Sequence, residues 1–137
     1  MSTPARAKYG LLDTSVLIAA EVGRPLRSEA LPETASASIV TVGELRAGIH
    51  TAPDVATRDQ RIATYELVMS GPVIPIDGAV ANVWSQMRAY LAASGGRVSV
   101  NDVWVAATAA SRGIPVVTQD RDFYALSGAA GLTVIEV

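Results

Sequence analysis

Four acidic residues of the sequence stand at or just beyond apolar segments, where burial of a side chain is expected. They are Asp13, Glu44, Asp102 and Asp120. Two carboxylates about 5 Å apart repel by roughly 3 kcal/mol at an effective dielectric constant near 20. A cluster of four therefore raises pKa values or destabilises the fold unless cations neutralise it. If folding brings the four together, the expected chemistry is the binding of divalent metal ions.

The side chains available narrow the choice of metal. The sequence contains no cysteine and one histidine, His50, which is predicted at a helix end and facing solvent. Ligation by carboxylate oxygens alone suits Mg²⁺ or Mn²⁺ rather than zinc. Asp122, two residues after Asp120, is a candidate fifth acid of the group.

Each acid also has an ordinary structural explanation. Asp13 and Asp102 could simply complement the dipole of a helix that follows them. Glu44 lies three residues after a threonine, which is the pattern of a capping box. Asp120 and Asp122 could belong to a polar turn, where aspartate is common. Taken together, the acids favour a metal site over these separate explanations, because four different strand ends or helix starts each present a carboxylate.

Strands and helices alternate in the predicted secondary structure. Short apolar strands are predicted at Tyr9–Leu12, Ala37–Val40, Val73–Ile76, Val116–Thr118 and Thr133–Val137. Helices are predicted at Val16–Val22, from Thr41 to about His50, from Pro53 to the Gly71-Pro72 pair, across the stripe Val80–Leu91, and at Asp102–Arg112. This alternation indicates βαβ units around a buried parallel sheet, and hence the α/β class. Functional residues of such sheets gather outside the carboxyl ends of the strands.

The helix starts are predicted from residues that commonly cap helices. Thr14 or Ser15 is expected to cap the first helix, Thr41 the second and Asn101 the last. With Asn101 as the cap, Asp102 is left free in the first turn of its helix. The capping assignments therefore decide how freely the acids can bind a ligand.

Length and composition bound the kinds of protein this can be. With 137 residues, 50% hydrophobic and 18% charged, the chain is expected to form one domain with a sizeable core. The net charge of −2 argues against a strongly basic nucleic-acid binder. Residues 1–8 are expected to be a loose leader, and the apolar run Val16–Ala20 is too short for a signal sequence or a membrane span. We therefore expect a cytoplasmic protein with no membrane partner.

Four segments of the chain resemble the motifs of one known family. Leu11–Ile18 resembles the opening motif of PIN domains, and Ser38–Ile49 resembles the second motif in the form found in VapC toxins. Asn101–Ala109 is similar to the third motif and Val117–Phe123 to the fourth. The segments occur in the family's order and span most of the chain. The resemblance implies a single PIN domain over residues 1–137, with a three-layer α/β/α fold and a short central parallel sheet of four to five strands.

The resemblance also implies roles for individual residues. The family's catalytic and metal-binding acids match Asp13, Glu44, Asp102 and Asp120. Asp122 matches an accessory metal-binding acid, and Thr14 and Thr118 match positions that support the site through their hydroxyl groups. Arg46 matches a recurring position of the toxins, but on an ideal helix it points away from Glu44.

The activity implied by the resemblance is that of a Mg²⁺-dependent endoribonuclease, with Mn²⁺ as a substitute, that hydrolyses RNA phosphodiester bonds with metal-activated water. Proteins of this kind are toxins held inactive by a cognate antitoxin, and they commonly form homodimers. Apolar helical faces at Ile62–Met69 and Val80–Leu91 fit either a dimer interface or the protein's own core. Candidate side chains for attracting phosphate are Arg24, Arg27, Arg97, Arg112 and Arg121.

Other functions also place acids at strand ends. A phosphoacceptor domain or phosphotransferase is disfavoured because Lys8 is the only lysine and Asp13 lacks an Asp-x-Asp partner. The Asp120-x-Asp122 pair is similar to that of a Toprim-like metal site, but Glu44 follows the second strand rather than the first. The alternative outside enzymes is a catalytically inactive PIN-like binding or scaffold module, which predicts loss of the acids.

Overall fold

A parallel sheet forms the centre of the protein, in a computed structural model that describes residues 5–137. The strands are β1 (Tyr9–Leu12), β2 (Thr34–Ser38), β3 (Val73–Ile74), β4 (Val116–Thr118) and β5 (Val134–Glu136). The helices are α1 (Thr14–Val22), α2 (Ile39–His50), α3 (Val55–Met69), α4 (Gly78–Ser94) and α5 (Val100–Ser111). The strand order is β3-β2-β1-β4-β5, and every neighbouring pair is parallel. The predicted α/β class is confirmed.

Helices cover both faces of the sheet, because successive residues of a strand point to opposite sides. Leu11 and Val116 lie in one apolar cluster with residues of α4 and α5. Val117, the residue after Val116, packs instead against Val16 of α1. A third cluster joins α1, α2 and α3. The result is the predicted α/β/α arrangement, in which short apolar strands are buried on both sides.

The apolar stripe of α4 is buried inside the chain. Val80 and Met87 are fully buried and Leu91 nearly so. Val83 and Trp84 are partly buried and pack against the same cluster. Packing within the protein's own core therefore accounts for this stripe.

The chain switches sides of the sheet between β1 and β4. It runs from β1 to β2 and β3 on one side, and then returns to add β4 and β5 on the other. Backbone N–H groups of Leu11 and Asp13 donate to the carbonyls of Pro115 and Val117, each at 2.9 Å. Such a switch point leaves a crevice outside the carboxyl ends of two adjacent strands. Asp13 lies at this crevice.

Three predicted helix caps are wrong. Asp13 itself caps α1, rather than either of the hydroxyl residues after it. Ser38 caps α2 in place of Thr41, whose backbone N–H donates to the serine hydroxyl at 3.1 Å. Ser99 caps α5 in place of Asn101. Each helix begins earlier than predicted because several residues able to cap stand close together in the sequence.

The start of the sheet also differs from the prediction. Backbone N–H groups of Glu33 and Thr34 donate to the carbonyls of Ala7 and Lys8, at 2.9 and 2.8 Å, which anchors these residues beside β2. Residues 1–4 of the predicted leader lie outside the described part of the chain. Because β2 ends at Ser38, the strand predicted as far as Val40 is wrong, and its last two residues open α2. Within residues 5–137, no helix combines the length and apolar character needed to cross a membrane.

Candidate metal centre

Asp13 is held in place by hydroxyl groups at the end of β1. It is 4% exposed, and its Oδ2 accepts hydrogen bonds from the Ser15 hydroxyl at 2.7 Å and from the Thr118 hydroxyl at 3.0 Å. The Ser15 backbone N–H, 3.4 Å away, completes the cap of α1. Three donors therefore converge on one oxygen of this carboxylate, and they fix the direction of the other.

Thr118 joins the ends of β1 and β4. Its side chain is completely buried, donates to Asp13, and accepts a hydrogen bond from the backbone N–H of Asp120 at 2.8 Å. Asp120 in turn accepts from the N–H of Asp122 through Oδ1, at 2.9 Å. One hydroxyl thus sets the positions of two of the predicted acids.

Glu44 reaches the same edge of the sheet from α2. Its Oε1 accepts a hydrogen bond from the Thr14 hydroxyl at 2.8 Å, and the Thr14 oxygen lies 3.1 Å from the hydroxyl of Thr41. Because α2 is capped by Ser38, Glu44 lies beyond its first turn and is not part of a capping box. The alternative explanation of Glu44 as part of a capping box is therefore wrong, and its Oε2 is left for another role.

The pKa of Asp102 is affected by the charges of the other three acids. It stands in the first turn of α5, where its backbone N–H donates to Ser99 Oγ at 3.2 Å. The pKa of Asp102 is raised to about 6, chiefly by burial and next by the negative charge of Asp13, with smaller contributions from Asp120 and Glu44, against a lowering hydrogen bond from Ser99. The charges of the other three acids therefore act on Asp102.

The carboxylates do not form a ready-made metal-binding site. In the part of the chain from residue 5 onward, no group of three or more His, Cys, Asp or Glu side chains has an arrangement that could hold a metal. Asp13, Glu44 and Asp120 each have one oxygen engaged in the hydrogen bonds above. The donor set nevertheless fits a hard cation, since it consists of carboxylate oxygens whose mutual repulsion a cation would relieve.

The remaining predicted residues lie in different surroundings. Asp122 is exposed and is not among the charges that raise the pKa of Asp102. His50 is exposed, as predicted. Arg112 pairs with Asp77 at 2.8 Å at the C-terminal end of α5, which is the end of that helix opposite Asp102.

Two other arginines have fixed positions at this side of the sheet. The side chain of Arg24 donates to Gln119 Oε1 at 2.7 Å and to the Ser15 carbonyl at 3.2 Å. Arg27 donates to the carbonyl of Glu136 at 2.7 Å. Arg24 shares a cavity with Asp120, and is therefore the better placed of the two to meet a phosphate near the acids.

Small hydroxyl residues have a larger part in the site than the sequence predicts. Ser15 is predicted only as a helix cap, yet its hydroxyl donates to Asp13, lies 3.3 Å from Thr118 Oγ1, and accepts from the Gln119 N–H at 3.0 Å. Ser99, which caps α5 beside Asp102, was not singled out. The available signal was the position of both serines within two or three residues of a predicted acid.

We expect Thr118→Val to destabilise the protein by about 1–3 kcal/mol. The change removes the hydroxyl that donates to the Asp13 carboxylate and accepts from the Asp120 N–H, and it does so at a buried position. Urea unfolding followed by circular dichroism measures the change. Thr133→Val is the matched control, because Thr133 is exposed. Equal urea midpoints for the two variants would contradict the role assigned to Thr118.

Comparison with known proteins identifies the family. The family model described as "PIN domain" matches residues 10–129. The chain is 47% identical to Ribonuclease VapC5 of Mycobacterium tuberculosis, over the whole of both chains, and 36% identical to Ribonuclease VapC4 of the same organism, over 93% of this chain and 98% of the relative.

A solved structure agrees with the sequence comparison. The crystal structure of VapBC-5 from Mycobacterium tuberculosis, described as a member of the VapBC family of toxin-antitoxin systems, contains a chain that superposes with a TM-score of 0.88. That chain is 45% identical, and the match covers 95% of this protein and 99% of the other. The chain therefore belongs to the PIN-domain family, and within it to the VapC-type ribonuclease toxins, whose activity depends on a metal ion.

Proposed function

We propose that this VapC-type ribonuclease cleaves RNA with Mg²⁺ held by Asp13, Glu44, Asp102 and Asp120, with Asp122 as an accessory acid. The observation that supports the proposal is that the hydroxyl groups of Thr118 and Thr14 hold Asp13, Asp120 and Glu44 beside the switch point of the sheet, while the charges of these three acids raise the pKa of Asp102. Mn²⁺ is expected to substitute, because it accepts the same oxygen ligands. We take residues 1–137 as a single PIN domain acting on RNA in the cytoplasm.

Bound Mg²⁺ would supply Lewis acidity toward a phosphate oxygen and would lower the pKa of water. The protein's own residues supply orientation. Thr118 and Ser15 hold Asp13 through Oδ2, which leaves Oδ1 for a ligand. Thr14 does the same for Glu44 through Oε1. Because these hydrogen bonds orient Asp13 and Glu44 before a substrate arrives, these two side chains need little reorganisation during the reaction.

Asp102 makes metal binding sensitive to pH. Its pKa of about 6 in the metal-free protein means that a proton competes with the cation over a range in which an ordinary aspartate is fully ionised. We expect Mg²⁺ affinity to fall as pH decreases through about 6, since ligands must be deprotonated. Calorimetric titration of the full chain with MgCl₂ at pH 5.5 and pH 7.5 measures this.

Cleavage of a single-stranded RNA by the purified chain tests the proposal directly. Cleavage should require MgCl₂ or MnCl₂ and should stop in EDTA. The alternative, a catalytically inactive binding module, predicts neither cleavage nor a saturable Mg²⁺ site in the calorimeter. Cleavage that is unaffected by EDTA would also contradict the proposal.

A protein antitoxin is the proposed regulator. The relatives of known structure are described as members of toxin-antitoxin systems or as complexes such as FitAB. In this chain, a cavity of about 310 Å³ between α1 and α2 begins at Thr14 and Glu44 and continues past Ile18 and Glu21. The one basic side chain of its lining, Arg61, donates to the carbonyl of Gly48 at 2.6 Å. The acidic and apolar side chains of the cavity suit a segment that carries basic and apolar residues. A segment bound there would cover Glu44.

We propose in addition that the chain forms a homodimer. Leu67 and Met69 of α3 are 70% and 47% exposed, and Val55 at the start of the same helix is 74% exposed. Exposed apolar side chains of this helix offer surface that a second copy of the chain could bury. The stripe of α4 is not available for this purpose, since it is buried within the chain.

A further inference from the structure

A second functional surface adjoins the metal centre. A cavity of about 530 Å³ lies between the C-terminal half of α4, the loop that follows it, and the turn after β4. Arg88 and Arg97 stand at this cavity, Leu91 and Val98 contribute apolar surface, and Ser99 and Asp122 also line it. Its volume falls within the range of about 300–1,000 Å³ typical of ligand pockets.

Two of the lining residues connect the cavity to the predicted metal ligands. Ser99 caps α5 and accepts the backbone N–H of Asp102 at 3.2 Å. The backbone N–H of Asp122 donates to Asp120 at 2.9 Å. The cavity therefore adjoins the segments that carry Asp102 and Asp120.

The two arginines are available to bind an anion. Within residues 5–137, neither Arg88 nor Arg97 forms a salt bridge or a side-chain hydrogen bond, whereas Arg112 and Arg121 both have carboxylate partners. The Arg88 guanidinium lies 5.9 Å from the ring centre of Trp84, and this ring stacks on a second tryptophan at 4.7 Å. The stacked tryptophans orient Arg88 through a cation–π contact, and among the described residues its N–H groups have no hydrogen-bond partner.

The combination of groups in the cavity matches a nucleotide. Free guanidinium groups bind phosphate oxygens through paired N–H donors. The apolar surface from Leu91 and Val98 can contact a ribose or the face of a base. RNA is favoured over an acidic protein segment, because a strand cleaved at the adjacent acids must place its next phosphate within a short distance of them.

We propose that Arg88 and Arg97 are positioning residues that bind the RNA phosphate neighbouring the scissile one, and that the cavity between them holds the attached nucleoside. The inference rests on the proposed ribonuclease activity, and it adds the path of the strand on one side of the cleaved bond. Asp122 is the one acid lining the cavity within the described residues, and its backbone N–H donates to Asp120.

Binding of RNA in EDTA tests the arginines separately from cleavage. Fluorescence anisotropy with a labelled single-stranded RNA measures the affinity of the full chain and of the Arg88→Ala/Arg97→Ala double variant between 50 and 200 mM NaCl. Loss of two phosphate contacts should weaken binding by about tenfold and reduce the slope of log K against log salt by about 1.4. Equal affinities and equal slopes would overturn the inference.

Kinetics on shortened substrates locate the contact. RNA oligonucleotides are trimmed one nucleotide at a time from either end and cleaved with MgCl₂ present. The wild-type chain should lose kcat/KM, chiefly through KM, when the nucleotide of the cavity is removed, and the double variant should be insensitive to that removal. If both proteins lose the same factor at each trimming step, the inference is wrong.

Matched variants separate phosphate binding from general effects of charge and folding. Arg58→Ala removes an exposed arginine from α3, on the other face of the sheet, and should leave RNA binding unchanged. Arg88→Lys/Arg97→Lys keeps the charge and should restore part of the affinity. Thermal melting verifies that each variant is folded.

The outcomes distinguish the two levels of the proposal. If the double variant cleaves normally and binds RNA with unchanged affinity, the arginine contact is refuted and the ribonuclease proposal stands. No cleavage by the wild-type chain refutes the ribonuclease proposal, while the binding experiment still decides the arginine contact. Unchanged RNA affinity with impaired antitoxin binding would identify the cavity as a protein-binding surface and overturn the inference.

Discussion

Replacing Asp102 with asparagine is expected to abolish RNA cleavage and, at the same time, to stabilise the metal-free protein at neutral pH. The pKa of Asp102 is raised to about 6 in the folded chain from an ordinary value of 3.8, so the folded state binds this proton more tightly than the unfolded state. Stability associated with the protonated form is therefore present below pH 4 and is lost as pH rises through about 6. Asparagine, which carries no charge, avoids that loss.

The expected gain is about 1 kcal/mol at pH 7.5, well below the full electrostatic value because solvent screens a half-buried carboxylate. It corresponds to a Tm increase of roughly 3–5 °C in EDTA, and to no increase at pH 4. Asp59→Asn on the exposed side of α3 is the control, and should change neither Tm nor cleavage. An Asp102→Asn variant with full activity, or with a lower Tm at pH 7.5, would refute this account of the centre.

Asp13→Asn is expected to lose cleavage for a different reason and without a gain in stability. The amide oxygen can replace Oδ2 and accept the bonds from Ser15 and Thr118, so the cap of α1 survives. The amide nitrogen then occupies the place of Oδ1 and presents N–H groups, which repel a cation. Because a metal ion supplies several kcal/mol of transition-state stabilisation, we expect cleavage to fall by about 100- to 1,000-fold.

Thermal melting with and without MgCl₂ distinguishes this loss from unfolding. The Tm of the wild-type chain should rise with Mg²⁺, because a ligand that binds only the folded state stabilises it. The Tm of Asp13→Asn should not respond. Asp13→Ala, which also removes the cap, should be less stable than Asp13→Asn by about 0.5–2 kcal/mol. A normal Mg²⁺ response of Asp13→Asn would show that Asp13 is not a ligand.

Much of the fold follows from the sequence because periodicity and turn residues are strong local signals. The strands at Tyr9–Leu12 and Val116–Thr118 were predicted with the bounds that the structure has. These segments are short, apolar and bounded by polar residues, so burial on both faces is the only arrangement that satisfies them. The parallel order then places the acids at one edge.

The helix starts could not be predicted with the same accuracy. Ser38 and Thr41 both have hydroxyl groups that can cap, and their intrinsic preferences are similar. Tertiary contacts decide between them: Thr41 is fully buried beside Thr14, and Ser38 ends a strand. The same applies to Ser99 and Asn101 at α5. Contacts between distant residues, such as that of Arg112 with Asp77, leave no local pattern in the sequence.

The bond between Thr118 and Asp13 joins residues 105 positions apart, and strand β4 brings one of the acids to the edge already formed by β1. The segment of the chain that carries β1, β2 and β3 contains Asp13 and Glu44 but neither Asp102 nor Asp120, so during synthesis on the ribosome it lacks half of the proposed ligands. On the proposed assignment, cleavage therefore requires that β4 has emerged and inserted beside β1. The proposed site is in this way incomplete until most of the chain has been made.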